Sequence, residues 1–498
     1  MAHANRLDLS TLDGLPAPIA TPRYDPRMIG VGIVHLGIGA FHRAQTATFC
    51  DDALALERAD WGICGVSLRS PDVRDRLTPQ DGLYTAVEKD PDATRRRVIG
   101  SVREVLFLGD QRDAVRTRMI EPETRIVSLT ITEKGYCHDP ATGRLNHAHP
   151  DIAHDLAHPD EPESALGLIV GALDARRLAH SRAFTVLCCD NLPHNGAMLR
   201  ALVEDFAEAR DPELARWIDR HATFPSTMVD RIVPATTDAD IAANDAALGV
   251  HDAAPVVHER FRQWAIEDAF VSGRPPWDRV GAELVADVAP FEAMKLRLLN
   301  GSHSALAYLG FLAGHRFIHQ AMAAPAFAAY VRGMMTQEVA PTLEAPQGVD
   351  LRAYQDALAE RFSNPALPHR TQQIAMDGSQ KLPQRLLGTV RDNLAANRPF
   401  DRLALAIAAW MRYVGGIDED GREIAVSDPL AGELARVAGH HRSRPAGYVR
   451  AMLGVRAVFG DDLAANERLV ARLTASLQAL VEHGAAGAVQ RIAVEAAR

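Results

Sequence analysis

Apolar residues at Met294, Leu298, Leu299, Leu306 and Leu309 recur at helical spacing across residues 290–310, which predicts a mostly buried helix. The same stretch carries Glu292, Lys295, Asn300 and His303. Burying such groups without partners costs about 2–7 kcal/mol each, so their presence asks for a reason. At 100° per residue with Lys295 as zero, Glu292 falls at about 60°, His303 at about 80° and Asn300 at about 140°. All four are predicted on one side of the cylinder, where an amine, an amide and an imidazole can grip a substrate hydroxyl and take its proton.

The first half of the chain has a different pattern. Short apolar runs without alternation, at 28–38, 61–69, 125–132 and 183–189, predict buried parallel strands. The first runs into Gly37-Ile-Gly39-Ala-Phe41-His42-Arg43 and then a helical stretch through Leu56. Strand, glycine turn and helix make a dinucleotide-binding start, in which backbone N–H groups meet a pyrophosphate. Two of the usual three glycines are present and His42 holds the third place, a pattern that an ordinary strand-to-helix turn also fits. Residues 1–28 are rich in proline turns and read as an arm over the body. From about residue 286 Ala-rich helical segments dominate (403–414, 446–459, 463–482) and no strand series remains. The predicted architecture is an α/β Rossmann-like dinucleotide-binding domain over 1–285 and a mostly α-helical C-terminal domain over 286–498.

Charge and composition narrow the function. The 498 residues are 47% hydrophobic and 24% charged, with a formal charge of -10, which argues against a nucleic-acid or anionic-membrane surface. No apolar run approaches the ~18 residues of a membrane span, and the first residues do not begin a signal peptide. Cys50, Cys64, Cys137, Cys188 and Cys189 lack disulfide or zinc-ligand spacing, so no metal is expected and a cytoplasmic enzyme is. Only Lys89, Lys134, Lys295 and Lys381 are lysines among 54 basic residues. A chain that otherwise uses arginine keeps lysine where a proton must be lost near neutral pH.

Ligands of open α/β sheets bind beyond the carboxyl ends of the strands. That draws attention to the turns Glu133-Lys-Gly-Tyr136 and Asp190-Asn191-Leu-Pro-His-Asn195-Gly196. After the second strand, Asp72 is the candidate for the adenosine ribose, though an Asp following Pro71 is also an ordinary turn residue or cap. Arg69 can instead face a 2′-phosphate, so NAD is expected and NADP stays open.

Six motifs together resemble the polyol-specific long-chain dehydrogenases over nearly the whole chain. They are residues 37–43, Ser128-Leu-Thr-Ile-Thr-Glu-Lys-Gly-Tyr136, Cys189-Asp-Asn-Leu-Pro-His-Asn-Gly196, Phe224-Pro-Ser-Thr-Met-Val-Asp-Arg231, Lys295-Leu-Arg-Leu-Leu-Asn-Gly-Ser-His303 and Asp377-Gly-Ser-Gln-Lys381. The resemblance implies metal-independent hydride transfer between NAD(P) and a secondary alcohol of an open-chain sugar derivative. It implies Lys295 as general base, Asn191 and Asn300 as an amide pair on the reacting oxygen, His303 as substrate-orienting and Glu292 as proton relay. Asp230 and Lys381 would contact substrate hydroxyls. Gly37, Gly39, Phe41, His42, Arg43, Arg69, Asp72 and Glu133 are the candidate cofactor contacts.

The chain departs from the mannitol pattern at Gln45, at Pro71-Asp72 and at Glu259-Arg260-Phe261. Residues 368–385 are closer to the mannonate branch, whereas residues 190–196 and 65–70 are closer to the mannitol branch, so the two ends of the site point to different substrates. The first substrate expectation is D-mannitol to D-fructose, with D-arabinitol or D-sorbitol as further polyols. The alternative is D-mannonate, a fructuronate reductase activity, whose carboxylate needs a cation from Arg260, Arg370 or Arg297. A catalytically silent sugar or dinucleotide sensor is a third reading. A monomer is the expected state. Thr85, Thr130, Phe291 and Asp377 stand four residues before the lysines, which excludes the short-chain tyrosine–lysine mechanism.

Overall fold

The short apolar runs of the first half pair side by side in the computed structural model, which describes residues 5–57, 59–139, 142–441 and 444–495. Five parallel strands, β1 (Val31–Leu36), β2 (Gly62–Ser67), β3 (Val102–Phe107), β4 (Ile126–Leu129) and β5 (Thr185–Cys188), lie in the order 3-2-1-4-5. Alternate residues sort into two cores. Val34, Leu36, Val66, Val127, Leu129 and Val186 pack on one face with helix Ala165–Leu178, whereas Ile33, Ile63, Ile126 and Leu187 pack on the other with Phe49, Trp264 and Trp277. Both faces are covered, so the strands carry apolar runs with no polar side. β3 is missing from the sequence reading because it is an edge strand whose Arg103 and Glu104 break the apolar run.

Two small sheets complete this unit, which spans Met1–Ala289. Tyr84–Lys89 and Thr94–Ile99 pair antiparallel with Val256–His258 alongside, and Thr227–Asp230 pairs antiparallel with Gln263–Glu267. The arm is tied down: Leu7 is buried with Leu83, Val98 and Leu248, and Arg6 bridges to His251.

Pro290–Arg498 forms the second unit, helical throughout its regular structure. Helix Asp401–Val414, buried along nearly its whole length, packs against Gly301–Leu312 and Glu467–Glu495. The predicted segment 446–459 is two helices, Pro445–Leu453 and Arg456–Phe459, broken at Gly454. The last long helix runs past the predicted 482 to Glu495 with a kink at Gly484.

Between β1 and β4 the strand order reverses, and the chain must turn there without a side chain. Gly37 sits at φ +94°, and a Cβ on it would come 2.2 Å from the Thr130 carbonyl oxygen. Gly37→Ala therefore combines a backbone clash with a disfavoured φ. We expect thermal melting to fall by about 4–10 °C, with an unchanged Tm showing that the turn is not tight.

Candidate active site

At the carboxyl end of β1 the glycine turn is held from beneath by hydroxyl groups. The Gly37 N–H donates to the Val66 carbonyl at 2.8 Å, and the Thr130 hydroxyl donates to the Gly37 carbonyl at 2.8 Å. Since Thr130 spends its proton there, it accepts from His35 Nε2 (2.8 Å), which leaves His35 Nδ1 to accept from the Ser128 hydroxyl (2.8 Å). Burial pulls the His35 pKa down to about 3. Gly39 is exposed and precedes helix Ala40–Ala44, so the turn has the open backbone that a pyrophosphate needs. Residues 37–39 fit a dinucleotide on these grounds.

His42 and Arg43 correct the sequence reading in one respect, because their side chains turn inward. The His42 ring stacks on His35 with centroids 3.4 Å apart and bonds the Thr46 hydroxyl, and burial holds its pKa well below the usual value. The Arg43 guanidinium donates to the Ala254 carbonyl and lies 5.4 Å from the centre of the Tyr84 ring. Neither side chain is open to a ligand at the turn. Phe41 is half-buried against the same core.

Asp190 organises the turns after β4 and β5. Its half-buried carboxylate accepts from Ile131 N (2.8 Å), Thr132 N (3.2 Å) and the Tyr136 hydroxyl (2.7 Å), and desolvation is the largest influence raising its pKa. This holds Thr132 at φ 65°, ψ 162°, a conformation that few L residues adopt, and presents Glu133 to solvent. Asn195 is spent on backbone: it donates to the Asp190 and Thr227 carbonyls and accepts from Thr227 N. Asn191 lies exposed on the same turn, Asp230 is buried at the end of strand Thr227–Asp230, and Arg260 is exposed. Arg69 and Asp72 follow β2, both exposed.

In the second unit the predicted helix is present, with a change of pitch at its centre. Ala289–Met294 is α, Lys295–Asn300 is a π-turn, and Gly301–Leu312 is α again. A turn closing at i+5 spends about one residue more than an α-turn, which brings Asn300 nearly in line with Lys295. Glu292, Lys295, Asn300 and His303 then lie within about 70° of one another, where an uninterrupted α-helix spreads them over about 140°. Gly301 follows the π-turn because a Cβ there would come 2.8 Å from the Arg385 carbonyl oxygen, in the adjoining π-turn Pro383–Leu387.

Lys295 and Asn300 are only 8% and 9% exposed. Asn300 Oδ1 and His303 Nε2 are buried without a hydrogen-bond partner among the described residues, as expected of groups kept for a ligand. His303 stacks on Phe362 (centroids 5.2 Å) and lies 5.3 Å from His369. Burial, then the neighbouring His369 and the positive Arg385, Arg361 and Lys381, hold His303 well below its usual pKa. Lys381 donates to the Met376 carbonyl at 2.6 Å, and Arg370 is exposed. Arg297 is not available to a substrate carboxylate: it pairs with Asp392 at 2.5 Å and bonds the Thr342 hydroxyl at 2.9 Å. Arg361, Arg385, His369 and Phe362 were not singled out in the sequence, where they fit no periodic pattern with Lys295.

A doubly wound dinucleotide fold followed by a helical unit with a buried lysine, amide and imidazole defines a nicotinamide-dependent oxidoreductase. More particularly, the chain belongs to the mannitol dehydrogenase family. Residues 31–279 match the mannitol dehydrogenase Rossmann domain and residues 287–481 the mannitol dehydrogenase C-terminal domain. It is 48% identical to the D-mannonate oxidoreductase of Escherichia coli K12, covering 96% of this chain and 99% of that one. Identity to the mannitol 2-dehydrogenase of Pyricularia oryzae is 41%, covering 94% of each. Among solved structures, the Pseudomonas fluorescens mannitol 2-dehydrogenase ternary complex with NAD and D-mannitol superimposes with a TM-score of 0.86 at 41% identity, covering 98% of this chain and 99% of that one.

The depressed histidines give a stability prediction. His35 and His258 lie at about 3 and His369 at about 4, in each case chiefly through burial, against an ordinary 6.5. Below pH 6.5 the unfolded chain takes up protons that the folded chain refuses, so stability falls with acid. Tm should drop steadily from pH 7 to pH 5, and a flat profile would show these rings already charged in the folded state.

Proposed function

We propose that the chain oxidises, and in reverse reduces, one secondary carbon of an open-chain six-carbon polyol or aldonate. The row Glu292–Lys295–Asn300–His303 carries this reading. Lys295 accepts the hydroxyl proton in oxidation and returns it in reduction, the acid–base role open to an amine on this buried row. Asn300 and Asn191 donate amide N–H groups to the oxygen as it gains charge, worth a few kcal/mol, about 3, of barrier each. His303, kept neutral, fixes a neighbouring hydroxyl, and Glu292 passes the proton between Lys295 and solvent. Asp230, Lys381, Arg370 and Arg260 hold the remaining polar groups of the substrate. Bound NAD supplies the hydride acceptor, with the backbone of 37–43, Arg69, Asp72 and Glu133 as its contacts.

D-mannitol and D-mannonate both suit this chemistry. The positive groups that depress His303 favour the second, because each stabilises a carboxylate on the same substrate. The 48% identity to a D-mannonate oxidoreductase supports the same choice. No helix among the described residues is long and apolar enough to cross a membrane.

Initial rates with D-mannonate, D-mannitol, D-arabinitol and D-sorbitol test the substrate. The expected result is a kcat/KM for mannonate at least about tenfold above any neutral polyol, and a mannitol preference would overturn the aldonate reading. Lys295→Ala should lower kcat by about 10³-fold and leave the NADH Kd nearly unaltered, with no rescue by Lys295→Arg. Loss of NADH binding with turnover retained would remove Lys295 from the chemistry.

A further inference from the structure

In doubly wound folds the ribose of the adenosine half lies beside the end of the second strand, where an acid bonds the 2′-hydroxyl or an arginine accepts a 2′-phosphate. β2 of this chain ends at Ser67, and the first charged residue after it is Arg69. The first acid, Asp72, comes only at the start of helix Asp72–Leu77. By its own type, then, this strand end is built for a 2′-phosphate.

A residue far along the chain alters that. Arg69 Nη2 lies 2.9 Å from Asp151 Oδ2, in an ion pair whose side chains are 76% and 17% exposed. Asp151 stands in the first turn of helix Pro150–Ala157, with its own N–H donated to His149 Nδ1. The carboxylate is largely covered, while the guanidinium extends into solvent. The next arginine, Arg74, cannot substitute, because it is tied to Asp75 and Asp110 at 2.8 Å.

Neither Asp155 nor Cys137, both close to Asp151, brings a positive charge. Asp155 accepts from Glu163 N and Ser164 N. Burial pushes the Cys137 thiol up to about 11, so it stays neutral. Cys137, His149 and Asp151 offer ligand atoms within 4.8 Å of one another, a spacing that would suit a metal ion. The Arg69 guanidinium already supplies the cation for Asp151, and the thiol keeps its proton, so this cluster reads as part of the arginine's setting.

We propose that Asp151 sets the preference between NAD and NADP by neutralising Arg69. A dianionic 2′-phosphate approaching Arg69 meets a carboxylate already on the guanidinium, whereas a 2′-hydroxyl carries no charge to repel. With Asp151 in place NAD is favoured. With its charge removed, Arg69 becomes a phosphate site.

This inference rests on the reading of the chain as a nicotinamide-dependent dehydrogenase. The test measures kcat/KM with NAD and NADP, and Kd for NADH and NADPH by fluorescence titration. It uses the unaltered protein, Asp151→Asn, Arg69→Ala and the double variant. Asp151→Asn should raise the NADP-to-NAD ratio about tenfold, mainly through tighter NADPH binding. Arg69→Ala should lower the ratio and abolish the gain from Asp151→Asn. Asp151→Ser, which also suits a first helical turn, replaces Asp151→Asn if that variant melts early.

An unchanged ratio in both Asp151 variants overturns the inference, as does an equal gain without Arg69, which would make Asp151 a direct repulsive group. Absence of turnover in the unaltered protein would instead count against the dehydrogenase reading, and the NADPH affinities would still decide the role of Asp151.

Discussion

An amine and an amide buried on one helix are the constraint around which the second unit is arranged. Lys295 and Asn300 could be accommodated singly by snorkelling or by a water, but not as a set with Glu292 and His303 on a regular α-helix packed against its neighbours. The π-turn over Lys295–Asn300 relieves that conflict. It lengthens one turn by about one residue, draws the polar side chains into a narrow row and leaves Met294, Leu298 and Leu306 in the core. The cost is poorer backbone hydrogen bonding at one turn, offset by the close approach that Gly301 permits to a second π-turn.

The first unit meets a comparable problem at the ends of its strands. Three loops must be rigid while staying open to a ligand, and buried or half-buried polar side chains supply that rigidity from below. His35 links Ser128 and Thr130, Thr130 secures Gly37, and Asp190 joins the turn after β5 to that after β4. Each of these groups is satisfied by protein partners, and each adjoins an exposed residue: Gly39, Glu133 or Asn191. Polar residues in the motifs therefore divide into those that hold backbone and those that face solvent. The inward turn of His42 and Arg43 puts them with the first kind.

Charge has a similar division. Most arginines are tied to carboxylates or carbonyls, Arg297 to Asp392 among them, and these serve packing. Around His303 it is burial first, then His369, Arg385, Arg361 and Lys381, that keeps one ring a neutral hydrogen-bonding partner.

Residue order alone determined much of this. Apolar runs without alternation define strands buried on both faces, and the spacing of Glu292, Lys295, Asn300 and His303 marks a functional helix, because periodicity is a local property of the chain. The six motifs identified the family for the same reason, as contiguous residues. Tertiary structure decided the rest. It placed the edge strand β3, whose polar residues hide it from pattern, and set the π-turn, which depends on packing against residues 383–387. It also brought Asp151 to Arg69 and Arg361 to His303, pairs separated by tens of residues. Whether a charge binds a ligand or a neighbour depends on what the folded chain brings within a few ångströms, and no spacing along the chain encodes that distance.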